Sequence, residues 1–270
     1  STFLAIRIGV RTFPPALFAG TRFLAAGLLL LALALVLGRR FPRRAADWKT
    51  LAIVGIVQLT FGNGLVVAGS RFIDSGTAAV LVLGGALWMS LLDALVPGSE
   101  ARATGSQLAG LVVGYTGTLL LAGGNLEALR RADWRGPLLF VTSNICWASG
   151  SVYSKRHPVE SSSEMTAAIQ MVMGGAVLVA IGTARGEWNG FHPAPAGWGA
   201  IAYLMVFGSI IGYSCFLYVL RHTSPTITFV NFTVFVPATV TSKGPPAFIA
   251  ANFTIHLPLS SATPSTFCSP

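Results

Sequence analysis

Charge is scarce in this chain: Asp, Glu, Lys and Arg together make up 10% of its 270 residues, well under half the share usual in soluble domains. Hydrophobic residues fill 53% of it and the mean hydropathy is +0.68, more apolar surface than a water-soluble fold of this length can hide. Cysteine is also rare. Cys146 and Cys215 lie inside apolar stretches and Cys268 near the C-terminus, a placement that offers neither a disulfide frame nor a zinc-type spacing. They read as small buried thiols. The four histidines, His157, His192, His222 and His256, fall in loops or in the tail without ligand spacing, and no Gly-rich phosphate loop precedes a helix. No metal site and no cofactor are therefore expected. Paired acids, or a nucleophile beside a base, are missing as well, so a membrane-embedded enzyme is the weakest of the readings. No cleavable leader is expected, because Ser1 opens directly into Thr2-Phe3-Leu4-Ala5-Ile6.

What the chain does have is long oily runs. Pro15 to Gly38, Thr50 to Ser70, Thr77 to Val96, Leu108 to Gly124, Pro137 to Tyr153, Met165 to Ala184 and Ala196 to Leu220 each match the length that crosses a bilayer core. Hydrocarbon offers the backbone no hydrogen-bond partners, so such runs must be helices. The expected fold class is an all-α membrane protein, a multi-pass helix bundle. The formal charge of +9 fits that class, since the cations sit mainly in short loops, where they set orientation. No nucleic-acid partner follows from them.

The densest cluster, Arg39-Arg40-Phe41-Pro42-Arg43-Arg44, places its loop in the cytoplasm by the positive-inside rule. Residues 1–10 read as the end of a first helix, closed by Thr12-Phe13-Pro14-Pro15, because paired prolines cannot continue one. Alternation then leaves a modest excess of cations inside, with Asn125 to Arg135 as the weakest segment of the topology. Sliding the chain by about 148 residues lays Ala26-Gly27 on Gly174-Gly175 and Ser75-Gly76-Thr77 on Ser224-Pro225-Thr226, the pattern of an internal repeat. Two tandem copies of an odd number of spans enter a bilayer with opposite polarity, as in many secondary transporters. Gly110 with Gly114 and Gly117, Gly84-Gly85, and Gly62 with Gly64 supply small residues for close helix packing.

Several stretches in order carry a likeness to a known family. They include Ser1-Thr2-Phe3-Leu4-Ala5-Ile6-Arg7-Ile8-Gly9, Pro14-Pro15, Ala19-Gly20-Thr21-Arg22-Phe23, Gly62-Asn63-Gly64, Ser75-Gly76 and Leu87-Trp88-Met89. Gly98-Ser99-Glu100, Gly123-Gly124-Asn125-Leu126, the run from Trp147 to Tyr153, and Phe207-Gly208-Ser209-Ile210-Ile211 continue it. Over residues 1 to about 231 the chain resembles EamA-type permeases of the drug/metabolite transporter superfamily. That resemblance implies two inverted five-helix repeats in the bacterial inner (plasma) membrane, and export of a small metabolite, amino acid or drug-like solute by alternating access. The expected division is 1–124 for the first repeat, 135–240 for the second and 241–270 for a polar tail foreign to the family. The first helix is expected to be partial and the tenth missing, so a truncated product that transports nothing is the alternative reading. Expected partners are a small-molecule substrate and membrane lipid, with a homodimer left open.

Polar groups inside the spans are the candidates for the site, since ionisable groups in hydrocarbon usually face a cavity or a partner. Arg22 is expected either to contact an anionic group in a central cavity or to snorkel to the headgroups. Asp93, near the inner end of its span, is the candidate for proton coupling, with an interfacial position as the alternative. Asn63, Gln58, Asn144 and Gln170 can bond across helices or to a solute, and Gln170 falls at the repeat position of Arg22. Trp88, Trp147, Tyr153 and Tyr213 are candidates to line the cavity, with lipid contact or packing as the alternative.

Overall fold

The computed structural model describes residues 2–73, 75–95, 133–190 and 194–223, together with single positions at 105, 109, 110, 112, 113, 116 and 228. The expected fifth span, the mid-chain linker and the polar tail therefore lie largely or wholly outside the described residues, as do Gly114, Gly117 and Cys268. Within the described residues every regular element is helical. In chain order they are α1 (Thr2–Thr12), α2 (Pro15–Val36), α3 (Ala45–Gly69), α4 (Ser75–Leu83), α5 (Gly85–Leu95), α6 (Arg135–Arg156), α7 (Ser163–Ala184) and α8 (Pro195–His222). Five stretches are long and apolar enough to cross a membrane: α2, α3, α4 with α5, α7 and α8. The chain is a multi-pass helical membrane protein.

The run Pro137 to Tyr153 departs from the simple expectation of an oily span. Its helix, α6, is 22 residues long but carries too many polar groups to count among the apolar five. Packing explains why. Ser143 Oγ donates to Gly62 O at 2.7 Å and Asn144 Nδ2 to Leu81 O at 2.8 Å, while Gln58 Nε2 donates to Ser151 Oγ at 2.6 Å. The polar face of α6 thus turns inward onto α3 and α4, where its groups find partners that lipid would deny them.

Helix α2 begins with Pro15 in its first turn, where the missing N–H costs nothing. Its free Leu17 N–H donates to Glu187 Oε2 at 3.0 Å, so a carboxylate from the α7–α8 loop sits at the positive end of the helix. Removing it by Glu187→Ala is expected to lower stability by about 1 kcal/mol, read as the shift in melting temperature in detergent. At the other end Gly38, with φ +62, takes the left-handed position that lets Arg39 N reach back to Ala34 O at 2.9 Å.

Packing centres on α7, which lies against α2 along most of its length and against α3 beside it. A Cβ on Gly27 would fall 2.8 Å from Val172 N, and one on Gly175 would fall 2.6 Å from Leu24 N. The two contacts are repeat equivalents across the seam, since Gly175 follows Gly27 and Val172 follows Leu24 by the same 148 residues. Gly174 brings α7 equally close to α3, where Thr60 Oγ1 donates to Gly174 O at 3.0 Å. Without a hydrophobic drive between helices in lipid, such close backbone approach is what holds them.

At the basic end the loops are tied by ions and carbonyls. Arg221 donates from Nη1 to Ser161 O at 2.6 Å and from Nη2 to Thr166 Oγ1 at 2.7 Å. Lys155 Nζ reaches Leu220 O and Arg221 O, both at 3.1 Å, and so satisfies the last carbonyls of α8. The pairs Arg39–Glu164 at 3.6 Å and Arg44–Glu160 at 3.0 Å are exposed and add little to stability. Aromatic rings mark both rims of the bundle. Trp134, Trp188 and Trp198 are exposed at the end opposite Arg39, Arg44 and Arg221, and Phe41 packs on Trp48 with ring centres 5.5 Å apart at the end of those arginines. Rings of this kind sit at headgroup level.

Candidate functional site

Two of the long helices contain turns wider than an α-helix. Gly55–Asn63 in α3 and Leu204–Ile211 in α8 are π-helical, a rare geometry that concentrates at functional sites. Each wide stretch faces the same cavity, whose volume is about 150 Å³. From α3 it is lined by Leu59, Gly62, Asn63 and Val66, and from α8 by Phe207, Gly208, Gly212 and Tyr213. Arg22 and Phe23 of α2 close one side, Ser143, Asn144 and Trp147 of α6 the other, and Phe3, Ile6 and Val82 complete the wall. The volume is half or less of the roughly 300–1,000 Å³ that holds drug-sized ligands, so a small solute is the better fit.

Arg22 is 3% exposed, enclosed by the bundle on the cavity wall. Its guanidinium carbon lies 4.1 Å from the centre of the Phe23 ring, and its buried Nε has no hydrogen-bond partner. Trp147 meets Tyr213 and Phe216 edge-on at 6.1 and 5.4 Å, and its buried Nε1 likewise has no partner. Asn63 is half-buried on the cavity wall.

Beneath the cavity a polar tie joins four helices. Tyr213 Oη of α8 lies 3.1 Å from Gln58 Oε1 of α3 and 2.8 Å from Gln170 Oε1 of α7, and Gln58 Nε2 goes on to Ser151 Oγ and Trp147 O of α6. One hydroxyl has one proton and cannot serve both oxygens in full. Gln58 is held by its own two donor bonds, so turning the Gln170 amide over gives the better arrangement. Its Nε2, otherwise without a partner, then donates to Tyr213 Oη. Tyr213→Phe removes the hub of this tie and is expected to cost about 1 kcal/mol, within the range of buried interhelical bonds, measurable as a lower melting temperature in detergent.

Of the residues singled out in the sequence, Arg22, Asn63, Asn144, Trp147 and Tyr213 meet on one cavity, and Gln170 stands directly behind Tyr213. Trp88 and Tyr153 lie elsewhere. Trp88 packs with Ala86, Met89, Ala148 and Val152, and Tyr153 stacks on His157 at 4.2 Å. Asp93 is buried on α5 but is not among the lining residues. Sequence reasoning passed over Phe3, Ile6, Ser143 and Phe207 as wall residues, while Gln58 and Asn144, read as bonding across helices or to a solute, bond to Ser151 and to Leu81 O on other helices. A signal for Ser143 was present, since it adjoins Asn144 and two adjacent polar groups inside a span need partners. Among the described residues no group of three or more His, Cys, Asp or Glu could hold a metal ion.

Comparison with known proteins agrees with this architecture. The profile of the EamA-like transporter family matches residues 1–123 and 134–243. The chain is 37% identical over 229 residues to the uncharacterized inner membrane transporter YedA of Escherichia coli strain K12, covering 84% of this chain and 72% of that protein. It is 25% identical over 217 residues to the uncharacterized transporter YyaM of Bacillus subtilis strain 168, covering 79% of this chain and 70% of that protein. A protein of known crystal structure superposes with a TM-score of 0.63 at 17% identity, covering 92% of this chain and 88% of the other, a likeness of fold. This multi-pass inner-membrane protein belongs to the EamA-like transporter family and is a membrane transporter.

Proposed function

We propose that this transporter exports a small organic solute by alternating access, with the cavity between α1, α2, α3, α6 and α8 as the solute site. The observation that carries the reading is the cavity itself: a partly open space of about 150 Å³ bounded by two π-helical stretches and lined by a buried arginine. Solute sites of secondary carriers lie between repeats, near discontinuities in their helices. The two-repeat plan has support in spacing. Helix α7 starts 148 residues after α2 (163 against 15) and has the same length of 22 residues, and the second π-helical stretch starts 149 after the first (204 against 55). Alternating access requires that binding energy bias one conformation over another. The tie through Tyr213, Gln58 and Gln170 joins α3, α7 and α8 directly under the cavity, where a solute could exert that bias.

The test is efflux of a panel of labelled small metabolites from loaded proteoliposomes containing the purified chain. Release of at least one compound, faster than from protein-free vesicles and saturable, is the expected result. Retention of every compound to the level of empty vesicles overturns the proposal.

A further inference from the structure

We propose that the solute is a small organic anion, with a carboxylate seated at Arg22 and an apolar body lying against Phe3, Leu59, Val66 and Phe207. The inference rests on the reading of the cavity as the solute site and adds its chemistry. Two buried donors on the cavity wall, Arg22 Nε and Trp147 Nε1, have no hydrogen-bond partner. Arg22 is 3% exposed, and no Asp or Glu stands among the described residues that line the space. A buried cation with neither counter-charge nor acceptor is costly, and intramembrane arginines otherwise pair with acids or carbonyls. The missing partner is thus an acceptor of negative charge, and a carboxylate matches the planar fork of a guanidinium better than any neutral group.

The rest of the wall limits what the anion carries with it. Phe3, Ile6, Leu59, Val66, Val82 and Phe207 are apolar and offer nothing to a second charge. Asn144 uses one Nδ2 hydrogen on Leu81 O and Ser143 its hydroxyl proton on Gly62 O, so the half-buried amide of Asn63, with the second amide hydrogen and the oxygen of Asn144, is the natural contact for a further neutral polar group. An ammonium would enter beside Arg22 with no acid to receive it, so cations are refused and zwitterions are handled poorly. The volume of about 150 Å³ equals that of an engineered protein cavity that accepts benzene, which sets the scale of the apolar body.

The experiment uses the purified full chain at pH 7 and two carboxylates with their neutral and cationic counterparts: benzoate, benzamide and benzylamine, and pentanoate, pentanamide and pentylamine. Binding is followed by the change in tryptophan fluorescence and by the shift in melting temperature. At least one carboxylate is expected to bind saturably and at least about tenfold more tightly than its amide, with the amines not binding. Arg22→Gln should erase the difference between carboxylate and amide, and Arg22→Lys should restore part of it. Equal binding of acid and amide by the unaltered chain, or binding of an amine as tight as that of its acid, overturns the proposal whether or not the variants fold. Efflux assays keep the two readings apart. Carboxylate preference without release of any compound from proteoliposomes leaves the anion site standing and overturns the carrier reading. Release of another solute, unaffected by either carboxylate and by Arg22→Gln, does the reverse.

Discussion

Gly175→Leu is expected to yield no properly folded protein. The Cβ alone would fall 2.6 Å from Leu24 N and 3.1 Å from Gly20 O, and both are backbone atoms of α2 that cannot swing aside as a side chain could. Overpacking usually costs about 1–3 kcal/mol. Here the obstacle is a facing helix, and relief requires α2 and α7 to part along their shared seam, so a loss above about 3 kcal/mol is expected. Parting them would open the largest helix–helix contact among the described residues and move Arg22 away from the cavity. Size-exclusion chromatography in mild detergent should show aggregate in place of the monodisperse peak. Gly199→Ala is the control, since nothing lies within 4 Å of a Cβ at that position, and it should elute and melt as the unaltered chain does. A monodisperse Gly175→Leu protein with an unchanged melting temperature would contradict the packing described for the seam.

Arg22→Leu should move stability and activity in opposite directions. The side chain is buried and its Nε has no partner, so the folded chain bears the cost of a desolvated charge with little return. Arginine at the centre of a membrane helix costs about 2.5–3.5 kcal/mol on insertion scales, and replacing buried charge by a well-packed apolar group is often neutral or stabilising by about 1–4 kcal/mol. A rise of about 1–3 kcal/mol in stability is the expected outcome, seen as a higher melting temperature. Transport, by contrast, should fall by about 100-fold or more, because one buried charge-assisted contact is worth several kcal/mol when its partner is left alone. An arginine that served only to hold helices together would behave in the opposite way on the first count, since its removal would lower the melting temperature.

The helices were legible because lipid imposes one solution on an oily run. The starts and stops of α2 and α7 fall within two residues of the runs read in the sequence, fixed at Pro15, Gly38 and Ser162 by local chemistry. Arg22 was legible for a related reason: a cation in hydrocarbon is rare enough to mark its own position. Helix α6 was read less well, as an oily span, because hydropathy averages over faces and cannot see that Ser143, Asn144 and Ser151 all turn to one side. The π-helical stretches left no mark either, since residues such as Gly55, Leu59 and Phe207 occur equally in ordinary α-helices. Aromatics were the least informative class. Trp88 and Trp147 both lie in the middle of a span, yet the first packs against α6 and the second lines the cavity. The tie between Tyr213 and Gln58 spans 155 positions, and one sequence has no means of pairing such distant neutral groups.

The exposed tryptophans at one rim, with Phe41 and Trp48 at the other, make the bundle sensitive to acyl-chain length. Lipids too short or too long for the distance between those rims must be met by tilting, at a fraction of a kcal/mol per Å. Helix α8 carries Trp198 near its start and both Phe207 and Tyr213 further along, so any tilt imposed on the anchor is passed to two walls of the cavity. Turnover in vesicles should accordingly pass through an optimum as tails lengthen, with the choice of bilayer acting as a silent variable in any assay of this transporter.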